Sequence, residues 1–138
     1  MNTKTSRLEL VPDFLPMPYA RFFFDARSGG VLWPIGRQDQ EAWGYPVRLE
    51  ALPISEALRD ELTQLAECYD ASLNWDYPPD PGPWREPECQ AFNAAVRRAL
   101  DQLRAELGDQ WVIADHFDEV HEDPDLDRYL ADPASFRR

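Results

Sequence analysis

The side chains in this 138-residue sequence best suited to chemistry stand in one short stretch, Leu73 to Trp84, which reads LNWDYPPDPGPW. Trp75, Tyr77 and Trp84 are large amphipathic contact surfaces, Asp76 and Asp80 sit among them, and four prolines limit the freedom lost on binding. Stiff rings interleaved with carboxylates suit noncovalent recognition of a basic protein surface. The competing expectation is that Trp75 and Trp84 fold back as a lid over the core, with the prolines only shaping a turn.

A second group follows residue 114. From Asp115 to Asp127 there are seven acids and no Lys or Arg, among them Asp115, Asp118, Glu119, Glu122 and Asp123. Exposed carboxylates carry the sign of a phosphate backbone, so such a run can fill a cleft built for nucleic acid. It can equally be a solvated terminus, because like charges repel and rarely order alone. His116 and His121 lie in the same run, but no pair of histidines four apart on a helix around a glutamate is present, and a metal site is not expected. The sequence has no Gly-rich phosphate loop and no serine nucleophile elbow, since Ser28-Gly29-Gly30 reads as a turn without the following lysine or helix. Neither cysteine sits in a nucleophile signature. Two cysteines are too few for a disulfide scaffold; Cys68 and Cys89 would be neighbours if their helices pack antiparallel, which makes a bridge geometrically possible, while a reducing cytoplasm favours two semi-buried thiols.

Charge narrows the partners. The formal net charge is -12, and residues 1 to 50 carry six acids and six bases, so the whole excess lies beyond them. That field disfavours direct binding to nucleic acid and favours a basic protein, although simple solubility also explains an acidic surface. No stretch approaches 18 apolar residues and Met1 to Leu10 has no signal-peptide core, so neither a membrane span nor export is expected, and cytoplasmic residence follows.

One domain fits this length. Residues 1 to 18 contain three prolines and read as an extended N-terminal arm, 19 to 116 as a single α+β domain, and 117 to 138 as an acidic C-terminal tail, irregular apart from a turn of helix near Leu126 to Leu130. Tyr19 to Ala26 alternates as a strand, with Phe22 and Phe24 on one face, and a tight turn at Ser28 to Gly30 returns it through Val31 to Trp33 as a β-hairpin. Residues 35 to 53 read as a long loop with a short extended piece at Tyr45 to Leu49. Ser55 caps a helix to about Ala71 with the stripe Leu58, Leu62, Leu65 and Tyr69. Pro87 opens a second helix, striped by Phe92, Val96, Ala99, Leu100, Leu103 and Leu107, and Gly108 closes it. Trp111 to Ala114 returns as a strand beside the hairpin. The expected architecture is a small, mainly antiparallel sheet in element order β-β-α-α-β, packed by two helices, with Pro-rich loops.

The pieces LWP, GYPV, the SEALRDEL helix, and NWDYPP before a helix ending in ELG together resemble small bacterial proteins that include immunity proteins of polymorphic toxin systems, over about residues 20 to 114. The triplet Asp76-Tyr77-Pro78 is similar in chemistry to the acidic, tyrosine-rich patches with which helical nuclease-immunity proteins grip toxins. The resemblance implies a non-enzymatic immunity or antitoxin-like protein that neutralises a cognate toxin domain by occluding its active site, with no cofactor. Two alternatives stay open: a small enzyme or metal-dependent hydrolase using His116 and nearby acids, and an adaptor subunit of a bacterial assembly.

Overall fold

The computed structural model describes residues 17 to 138; most of the expected N-terminal arm lies outside them. Strand β1, Tyr19–Phe22, pairs antiparallel with β2, Leu32–Pro34, so the hairpin is present with Phe22 opposite Leu32. The alternation continues past the strand: Ala20, Phe22 and Phe24 point inward while Arg21 and Asp25 are exposed. Strand β3, Val112–Asp115, also pairs with β1 but runs parallel to it, with Tyr19 opposite Val112, giving the strand order β2-β1-β3. The α+β class is as expected, and the sheet is mixed rather than mainly antiparallel. The cause lies in the helices. The chain leaves β2 at the Tyr19 end, and two antiparallel helices return it to the end from which they started. Accordingly the start of the first helix meets the end of the second, where Ser55 N donates to Glu106 Oε1 at 2.5 Å, and β3 departs in the direction of β1.

Helix α1, Arg37–Trp43, occupies part of the segment expected to be loop. Its residues RQDQEAW give no apolar stripe and none is buried, so periodicity could not reveal it. It is anchored at its end, where Trp43 packs edge-on against Trp111 with centroids 5.1 Å apart. Helix α2, Glu56–Ala71, has the expected cap, with Ser55 Oγ accepting from Leu58 N at 3.2 Å. Helix α3, Glu86–Leu107, has Pro87 in its first turn and ends at Gly108, whose φ of 58° favours glycine. Leu58, Leu62 and Leu65 of α2 meet Phe92, Val96, Leu100 and Leu103 of α3 in one core with the inner face of the sheet. Phe24 lies at its aromatic end, within 6 Å of the rings of Phe22, Tyr69, Phe92 and Phe117.

The segment after β3 is more ordered than its composition suggests. Helix α4 spans Leu126–Ala131, and Phe117, Leu126 and Phe136 are buried. Like charge is overcome by apolar anchors and by arginines reaching in from elsewhere. No helix among the described residues is long and apolar enough to cross a membrane.

Candidate functional site

Where α2 ends, one buried side chain organises the Pro-rich loop. Asn74 Oδ1 accepts from the backbone N–H groups of Asp76 and Tyr77, both at 3.0 Å, and its Nδ2 donates to Pro81 O at 3.0 Å. The amide thus closes both sides of the bend, a local use of asparagine that competes with helix and ends it. Gly82 completes the closure, because a Cβ there would stand 2.0 Å from Ser72 O. The rings dominate this stretch of sequence, and the local signal of the closure is less conspicuous: an asparagine, Asn74, at the start of a Pro-rich bend.

The three aromatic residues have different surroundings. Trp75 is 39% exposed yet fixed: its Nε1 donates to Asp70 O at 2.7 Å, and the Arg27 guanidinium lies 4.0 Å from the ring centroid. Arg27 is itself held by the hairpin turn, in the left-handed region at φ 62°, with its N–H donating to Asp70 Oδ1 at 2.9 Å. Tyr77 is 58% exposed. Trp84 turns inward and meets Phe92 edge-on at 5.3 Å, partly buried against the core. The lid expectation therefore describes Trp84, while Trp75 and Tyr77 face solvent.

The acids divide as well. Asp115 pairs with Arg97 at 2.6 Å and also accepts from Phe117 N; Glu119 reaches the same arginine at 3.4 Å. Glu122 lies 3.4 Å from Arg85, and Asp123 is 2.7 Å from Arg138, whose hydrogen bond holds the Asp123 carboxyl below its ordinary range. Among the described residues, Asp76, Asp80 and Asp118 form no ion pair; Asp76 and Asp118 are exposed and Asp80 is partly so. Burial first, then the negative charges of Asp25, Asp70 and Asp118, raises the Tyr69 hydroxyl above its usual pKa.

The segment after β3 is brought to the loop by specific bonds. Buried Asn93 of α3 grips Val120 at both backbone groups, donating to its O at 2.8 Å and accepting from its N at 2.9 Å. Arg138 then bonds Pro79 O at 2.9 Å, so the last residue of the chain touches the Pro-rich loop. His116 is exposed, and His121 Nδ1 lies 3.2 Å from Glu86 Oε2. Among the described residues no three His, Cys, Asp or Glu side chains converge as metal ligands. Both thiols are free. Cys68 is exposed rather than semi-buried, while Cys89 is buried, and that burial pushes its pKa up.

These features describe a small α+β domain whose distinctive surface is a pinned loop bearing two exposed rings beside carboxylates. The sequence model of the Serratia CdiI immunity protein-like family matches residues 29–118, more than half of the chain, and the chain belongs to that family. The resemblance to immunity proteins of polymorphic toxin systems holds. No curated protein matches the sequence.

Proposed function

We propose that this chain is an immunity protein that binds a cognate toxin domain stoichiometrically and neutralises it by covering its active site. The observation that carries the proposal is Trp75: within a chain of the immunity protein-like family, it is an indole both exposed and immobilised. A ring already fixed loses little freedom on binding, which favours its use as an anchor. Tyr77 is the second anchor, and Trp84 seats the loop on the core. Asp76, Asp80 and Asp118 supply steering and specificity toward a basic toxin, with Asp115, Glu119, Glu122 and Asp123 adding to the field while held by arginines. The protein acts in the cytoplasm as a binder rather than a catalyst, without cofactor and without touching nucleic acid.

The decisive experiment expresses the product of the adjacent gene alone and together with this chain. Toxicity that disappears on co-expression, with an equimolar complex recovered, supports the proposal. A harmless neighbour, or turnover of a small molecule by the isolated chain, overturns it.

A further inference from the structure

An open groove of about 420 Å³ runs between the Pro-rich loop and α4, lined by Leu73, Trp75 and Pro81 on one side and Leu126, Tyr129 and Leu130 on the other. It is a size that ligand pockets use. Leu126 and Leu130 are four apart and share a face of α4, yet Leu126 is fully buried while Leu130 is 53% exposed. The apolar stripe of α4 is therefore only half covered by its own chain. Trp75 closes the other wall, and its one polar group is already committed to Asp70 O, so it offers the groove ring surface and no donor. Tyr77 lines an adjoining groove that shares Pro133 with the first. Of the five most exposed large apolar or aromatic side chains among the described residues, three thus gather on one patch. Clustering of this kind marks an interaction surface. Among the described residues, Asp76 is the one charged group lining the first groove.

We propose that this groove is the socket for one apolar side chain of the protein partner, carried next to a lysine or arginine that pairs with Asp76. The apolar walls select the first group, and an exposed carboxylate without a cationic partner among the described residues selects the second. The proposal rests on the immunity reading and adds the place and chemistry of contact. It also gives the segment beyond residue 118 a direct part in recognition, because one wall of the socket is α4.

The test measures the dissociation constant between the full chain and the toxin domain produced from the adjacent gene, at two salt concentrations. Leu130→Glu places a charge in the socket and should weaken binding by about tenfold or more, the scale of a hot-spot contact. Asp76→Asn should weaken it less and flatten its salt dependence. Val112→Ser is the control; Val112 is exposed, and its pairing with Tyr19 puts it at the end of the sheet away from the hairpin turn that meets Asp70. Circular dichroism checks each fold, and Leu130→Ala replaces Leu130→Glu if the latter unfolds. Wild-type affinity in the Leu130 variant overturns the socket while leaving the immunity function intact. No binding by the unaltered chain overturns both.

Discussion

Glu86 and Glu122 hold one another by their backbones: each N–H donates to the other's Oε1, both at 2.8 Å. One residue opens α3 and the other lies in the acidic segment after β3, so two carboxylates join parts of the chain that their charges alone would drive apart. The cost of bringing them together is offset by the two donors, by Arg85 beside Glu122, and by Gln90 and His121 beside Glu86.

That reciprocal bond makes stability depend on acid. The Glu122 N–H, followed by the Gln90 and His121 side chains, lowers the Glu86 carboxyl to about 2. In the unfolded chain it titrates near the ordinary value of about 4.3. A depressed folded pKa means stabilisation that is complete above the unfolded value and disappears as pH falls through the folded one, hence between about 4.3 and about 2. Glu106 and Asp123, also lowered, act in the same direction. Urea midpoints measured across this range should fall steeply for the wild type and less steeply for Glu86→Gln. Identical slopes would show that the bond contributes no pH dependence.

Asn93 fastens the segment after β3 to α3. Asn93→Leu keeps the bulk but strands both Val120 backbone groups, and should cost about 1 to 3 kcal/mol. Chemical denaturation gives the loss. Limited proteolysis should also show new cleavage beyond residue 118; equal resistance in the two proteins would mean that other contacts hold the segment.

Gly82→Ala tests the closure of the loop. The added methyl meets backbone rather than a flexible side chain, so the chain must shift, and about 1 to 3 kcal/mol of destabilisation is expected. Tryptophan fluorescence should change with it, since Trp75 and Trp84 lie in the same bend. A melting temperature and emission spectrum equal to the wild type's would show that the loop yields without consequence.

Trp75→Ala and Tyr77→Ala should each weaken toxin binding by about 2 kcal/mol while leaving the fold intact. Trp84→Ala should behave in the opposite manner, lowering stability because its ring packs on Phe92. Titration calorimetry paired with thermal melts separates the two classes, and normal complexes from both surface variants would remove this loop as the anchor.

How much could be read in advance depends on whether a residue's role is local. The stripes of α2 and α3, the Ser55 cap and the Gly108 stop are written within a few residues of where they act, and they stand as expected. The direction of β3 is a property of the whole path; only by counting two antiparallel helical passes after β2 does its parallel pairing with β1 follow. Helix α1 has no apolar period to read. The segment from residue 117 reads as a solvated tail because its partners, Asn93, Arg85 and Arg97, lie far off in sequence. At the candidate site the rings and carboxylates were legible as residue types. Their division into exposed Trp75 and Tyr77 and inward Trp84 was not, since it depends on Arg27, Asn74 and Gly82.

The unequal surroundings of the two thiols supply a natural labelling handle. Cys89 is shielded within α3 with its ionisation suppressed, whereas Cys68 is open to solvent, two residues before the aspartate that binds both Arg27 and Trp75. A maleimide dye added to the untouched protein should therefore attach at one position. Its emission would report docking at the neighbouring bend without any engineered cysteine.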